Sequence, residues 1–132
     1  MNKKFISTGA ILAGLAVALG AFGAHGLKKI VEEETVQTFQ TGVQYQMYHA
    51  IALVLIGILS EKYPGYFIRL AGWFFITGII LFSGSLYILV LIKATETVGL
   101  GKLGLITPLG GLLFIAGWVS LFIAVIPKKI RD

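Results

Sequence analysis

Cysteine is absent from the 132 residues, so neither a disulfide nor a thiolate centre is available. Charge is scarce: Asp, Glu, Lys and Arg make up 13% of the chain, against roughly 25% in soluble domains. Histidine occurs only twice, as His25 and His49, and two histidines without cysteine cannot supply the three or four ligands of an ordinary zinc site. No metal and no cofactor are therefore expected. Nucleophilic catalysis is equally poor. His49 is a conceivable base for Ser83 or Ser85, but no nucleophile-elbow context and no orienting carboxylate accompany them. No residue is assigned a catalytic role, and an enzyme is the less favoured class.

What the chain does hold is hydrocarbon. Hydrophobic residues make up 57% of it, and the charges leave long tracts untouched. None falls between Lys4 and Lys28, Glu34 and Glu61, Arg69 and Lys93, or Lys102 and Lys128. About 20 apolar helical residues cross a hydrocarbon slab of about 30 Å, and each tract is long enough. The expected fold is all-α, an integral membrane four-helix bundle with short loops, forming a single transmembrane domain over residues 1–132. Its helices are expected at about 5–26, 42–60, 70–92 and 108–126.

The opening "MNKKF" imitates the basic start of a signal peptide, but the apolar run behind it approaches 20 residues, longer than the usual h-region of about 7 to 15. It is expected to stay as the first span. With four spans both termini share one side, together with the connection between helices two and three. That side carries Lys3, Lys4, Lys62, Arg69, Lys128, Lys129 and Arg131, whereas Lys28, Lys29, Lys93 and Lys102 lie opposite, diluted by Glu32, Glu33, Glu34 and Glu96. The positive-inside rule predicts both termini in the cytoplasm. The net charge of +5 thus points to the lipid bilayer as partner and not to nucleic acid. "PKKIRD" reads as a topology anchor.

Local signals refine the layout. In "LGLITPLGG", Thr107 suits an N-cap and Pro108 the first helical position, leaving "GKLGLI" as an irregular segment at the outer interface. Residues 28–41 read as the longest loop, in which Ile30, Val31, Val36 and Phe39 alternate with charges and could form a short interfacial helix. Ala16, Gly20 and Ala24 form a small-residue ridge suited to close helix packing. Such small-residue faces could equally join copies into a homo-oligomer.

Topology then gathers the polar residues. His25 ends helix one. Gln44, Tyr45, Gln46, Tyr48 and His49 open helix two, of which Gln44 and Gln46 also read as ordinary interfacial residues. Ser83, Ser85 and Tyr87 fall in the outer half of helix three, and Thr107, Gly110 and Gly111 start helix four. Together they predict one polar layer beneath the extracytoplasmic surface. The first reading is structural: interhelical hydrogen bonds fix register, each worth about 0.6 kcal/mol. The tyrosines also fit an aromatic belt, as does Trp73, whereas Trp118 lies deeper and reads as packing. The sharper reading is an anion site, with two helix N-termini facing outward and Gly110 and Gly111 admitting a ligand close to the backbone. A lipid phosphate, as in an anionic lipid headgroup, or a small carboxylate is its expected occupant, with Lys28, Lys29 and Lys102 nearby.

The stretches "GAFGAHGL", "FQTGVQYQMYHA", "LFSGSLY" and "LGLITPLGG" together resemble the YgdD/YwdK family of small bacterial inner-membrane proteins, over about Gly20 to Trp118. That resemblance implies a four-helix, multi-pass protein of the bacterial cytoplasmic membrane, of unknown molecular function, and brings no assigned site residue. The reading is a non-enzymatic membrane protein whose polar layer binds a lipid headgroup or a partner protein; the alternative is a subunit of an oligomeric channel or transporter.

Overall fold

The computed structural model describes residues 1–96 and 101–127. Four α-helices hold most of them: α1 (Lys3–His25), α2 (Glu33–Leu59), α3 (Tyr66–Ala94) and α4 (Ile106–Val125). At about 1.5 Å per residue their lengths are about 35, 40, 44 and 30 Å. A slab of about 30 Å is just crossed by α4, while α2 and α3 overshoot it. Lys128, Lys129 and Arg131, the expected anchor, lie outside the described residues.

Local chemistry explains the starts. The Asn2 side chain caps α1, its Oδ1 accepting from the N–H groups of Lys4 and Phe5 at 3.1 and 3.3 Å. Ahead of α3 stands Gly65 with φ at 150°, a conformation open to glycine and costly for a side chain.

The largest departure from expectation is the stretch 28–41. It is no long loop: a 3-10 turn over Leu27–Lys29 ends α1, and α2 is already under way at Glu33. Two causes act together. Glu33 and Glu34 occupy the first turn, where negative charge meets the positive end of the helix dipole. Val36, Phe39, Val43, Gln46, Ala50 and Leu53 are buried at spacings of three and four, so one continuous stripe runs through Gly42. The alternation read as a separate interfacial helix is the head of that stripe.

Helix four also starts earlier, at Ile106, continuing directly from a 3-10 helix over Gly101–Leu105. Thr107 is therefore not an N-cap; Leu105 holds that position without a side-chain bond. "GKLGLI" is correspondingly helical and not irregular.

Packing is sequential: α1 lies on α2, α2 on α3 and α3 on α4, while α1 and α4 form no packed pair among the described residues. The face that α1 turns to α2 carries Gly9, Ala16 and Gly23, a seven-residue repeat of the kind that sustains a shallow left-handed crossing. A methyl added at Gly9 would stand 2.7 Å from the carbonyl oxygen of Ala50, so the backbones are in near contact. The expected ridge is thus corrected: Ala16 belongs to it, but Ala24 is exposed.

The core has two parts. Phe5, Leu53, Ile56, Ile68, Phe75 and Phe114 fill the end nearer Asn2, and Ala16, Leu27, Phe39, Val43 and Val90 the end nearer His25. Outside it, Ile11, Leu15 and Val17 on α1 and Leu112, Ile115, Val119 and Phe122 on α4 are exposed. Such a surface in water would be an aggregation site; against acyl chains it is neutral.

Candidate functional site

The interhelical side-chain hydrogen bonds among the described residues lie between mid-bundle and the His25 end. Gln40 Nε2 donates to the Gly20 carbonyl at 3.4 Å. One level deeper, Gln46 Nε2 donates to the Leu12 carbonyl at 2.8 Å, and Tyr87 Oη donates to Gln46 Oε1 at 2.7 Å. That amide joins α1, α2 and α3 at once. Ser83 Oγ donates to the Gly42 carbonyl at 2.6 Å, and Ser85 Oγ shares a 2.6 Å bond with Thr107 Oγ1. In the other half the hydroxyls of Ser7, Ser60, Thr77 and Ser120 return to carbonyls of their own helices, and among the described residues none there bonds across to another helix. Polar bonds therefore fasten one half of the bundle and apolar packing the other.

His49 marks the boundary. It sits about 24 Å along α2, level with Trp118, which lies about 18 Å along α4. Trp118 Nε1 donates to His49 Nε2 at 3.1 Å, and His49 Nδ1 lies 2.7 Å from the Tyr45 carbonyl. An indole offers only a donor and a carbonyl only an acceptor, so the proton belongs on Nδ1 and the imidazole is neutral. Its ring stacks on Phe114 with centroids 3.5 Å apart and meets Phe75 edge-on at 5.2 Å. Both nitrogens are committed. Neither can ligate a metal or take a proton from Ser83 or Ser85 without breaking these bonds.

The expected residues thus separate. Ser83, Ser85, Tyr87 and Thr107 meet interhelical partners, and His49 does so deeper in the bundle. His25 is exposed at the end of α1, roughly 20 Å from His49 along the bundle axis. Gln44 and Tyr48 are exposed. Gly110 is no ligand door: it is buried, and an added methyl would strike the Phe82 backbone, so α3 occupies the space proposed for an anion. Gly111 remains half-open, with only the Phe82 ring near at 3.9 Å. The start of α4 is also less suited to an anion than expected, because helical winding enters it from Gly101–Leu105.

Two participants were misjudged from the sequence. Gln46 is 4% exposed and central, and its register on the buried stripe would have separated it from Gln44. Trp118 is the partner of His49; a mid-helix indole N–H in an otherwise apolar segment needs an acceptor, and His49 offers one.

Beside this junction runs an apolar groove of about 610 Å³ between α2 and α4, with Phe82 of α3 also in its lining. Tyr45, Phe114 and Trp118 line it, with Pro108 and Gly111 toward the His25 end. Tyr45 is 39% and Trp118 46% exposed, so the groove opens sideways, where the hydrocarbon would be.

Four helices long and apolar enough to cross a membrane, knit by a polar half and coated with hydrocarbon, define a small multi-pass membrane protein. The chain belongs to the DUF423 family, described as protein of unknown function, whose model matches residues 19–111. It is 48% identical over 125 residues to the UPF0382 membrane protein YwdK of Bacillus subtilis, covering 94% of this chain and 97% of that one. Similarity extends to UPF0382 membrane proteins of Staphylococcus aureus (SAB0533), 47% identical, and Staphylococcus haemolyticus (SH2409), 43% identical; each alignment spans 92% of this chain and 94% of the relative. The YwdK-type resemblance carried by the four sequence motifs is the family found here. No solved structure matches the chain.

Proposed function

We propose that this chain is a non-enzymatic protein of the bacterial cytoplasmic membrane that holds a lipid along the groove between α2 and α4, with the polar half of the bundle fixing the groove's shape. The observation that carries this reading is the groove: about 610 Å³, lined by Tyr45, Phe82, Phe114, Ile115 and Trp118, with room for several methylene units and aromatic walls to pack them. In the proposed orientation, supported by the Lys and Arg bias and by the bacterial origin of the relatives, the groove's Gly111 end faces the outer leaflet.

The polar layer itself supports a headgroup or partner-protein site less well. Gln46, Ser83, Ser85, Tyr87 and Thr107 are already bonded to one another or to backbone, and no buried side-chain polar atom among the described residues lacks a partner. The same pairing weighs against an oligomeric channel, whose water path would need these groups free.

Gly111→Leu tests the proposal, because a side chain there enters the groove without meeting the backbone. Native mass spectrometry of the full chain, extracted in mild detergent, is expected to show a bound lipid in the parent protein and its loss in Gly111→Leu. An empty parent protein, or equal retention by both, overturns the reading.

A further inference from the structure

A second groove lies at the opposite end of the molecule, between the starts of α1 and α3, and is unrelated to the polar half. Its volume is about 330 Å³ and its lining includes Lys4, Ser7, Thr8, Arg69, Trp73 and Ile76. It exists because α1 and α3 are held apart by one side chain. Phe5 lies against Gly72, where an added methyl would stand 2.5 Å from the ring, and meets the Trp73 indole edge-on at 6.1 Å.

Three observations fix the chemistry of an occupant. First, the charge is of one sign. Among the described residues no acid lines the groove and neither Lys4 nor Arg69 has a carboxylate partner; the ion pair found among them joins the Met1 amine to Glu61 at 3.7 Å. α1 and α3 also both begin here, adding two positive helix ends. By contrast, the cavity of about 740 Å³ at the other end sets Glu32 and Glu96 against Lys29 and Lys93. Second, the hydrogen-bonding capacity is open. Thr38, Thr41 and Thr77 return their hydroxyls to their own helices, but the Thr8 hydroxyl has no partner among the described residues. Third, polarity is graded with depth. Along α3, Arg69 lies about 5 Å, Trp73 about 10 Å and Ile76 about 15 Å from the helix start, with Ser7 and Thr8 about 6–8 Å along α1.

A cationic mouth, the Thr8 hydroxyl one turn below and an apolar floor follow the order of phosphate, glycerol ester and acyl chain. We propose that this groove is a binding site for an anionic phospholipid, with the phosphate between Lys4 and Arg69, the ester region against Thr8, and the first acyl carbons along Trp73 and Ile76. Arg69 offers two parallel N–H donors to phosphate oxygens, and Lys4 a point charge. The site depends on headgroup charge, unlike the groove between α2 and α4, so the two proposals stand or fall separately.

The test uses the full chain in nanodiscs or detergent, with phosphatidylglycerol and phosphatidylcholine as probes in native mass spectrometry. Phosphatidylglycerol is expected to bind in preference, and Lys4→Gln with Arg69→Gln to lower its affinity by at least about tenfold while leaving phosphatidylcholine unchanged. Lys62→Gln, which removes a charge from the same end outside the groove, is expected to change affinity less than twofold. Thr8→Val, which keeps the side-chain shape, should lower phosphatidylglycerol affinity a few-fold. Equal binding of the two lipids by the parent protein overturns the proposal without any variant. So does an undiminished double variant, or a loss in Lys62→Gln as large as in the double variant, which would mark a diffuse surface charge effect.

Discussion

Gln46 is the residue on which most depends, because one amide satisfies the Leu12 carbonyl and the Tyr87 hydroxyl and so links three helices. Removing it leaves Tyr87 Oη without its acceptor in an apolar setting, a loss of about 1–3 kcal/mol. Tyr87→Phe instead removes the donor and leaves an amide oxygen that tolerates loss better, at about 0.6 kcal/mol. Gln46→Leu is therefore expected to lower thermal stability in detergent more than Tyr87→Phe, and the double variant to lose less than the sum. Strict additivity in that double-mutant cycle would mean the two side chains do not act together. Gln44→Leu, two positions away but exposed, is expected to stay within about 0.5 kcal/mol.

At the scale of elements, α3 and α4 are joined through glycine. Gly110 meets the Phe82 backbone and Gly117 the Phe75 ring, where an added methyl would come within 2.5 Å. Even Ala at Gly110 must push the helices apart, with an overpacking cost of about 1–3 kcal/mol. Gly111→Ala next to it meets only ordinary contacts and gains helix propensity, so it is expected to be neutral or stabilising. Melting curves of these two variants discriminate directly: equal destabilisation would contradict the packing of α4 on α3. Gly110 and Gly111 look alike in the sequence, and only the direction each faces gives one to a helix and the other to the groove.

At the scale of the molecule, orientation is the property to test, and the absence of cysteine supplies a clean background. Lys102→Cys, at the start of the segment leading into α4, is expected to react with a membrane-impermeant maleimide in intact cells. Lys62→Cys, on the turn between α2 and α3, should react only after lysis. The reverse pattern would invert the proposed topology and with it the leaflet assigned to the groove between α2 and α4.

Charge-free tracts sufficed to establish four spans, because the cost of burying charge in hydrocarbon acts on each segment independently of its neighbours. Helix ends were less legible. The start of α2 was obscured because polar residues on a helix that protrudes beyond the slab resemble a loop unless the buried stripe is followed through them. Which polar residues matter was partly legible: Ser83, Ser85 and Tyr87 were found from topology, whereas Gln46 was not told apart from Gln44 and Trp118 was read as packing. Composition and periodicity alone determined that this is a four-span membrane protein, because transfer into lipid is decided residue by residue and window by window. Only the tertiary structure decided that His49 is neutral and held by Trp118, that Gly110 packs against α3, and that Lys4 and Arg69 face one groove, because those facts depend on the relative rotation of helices far apart in the chain.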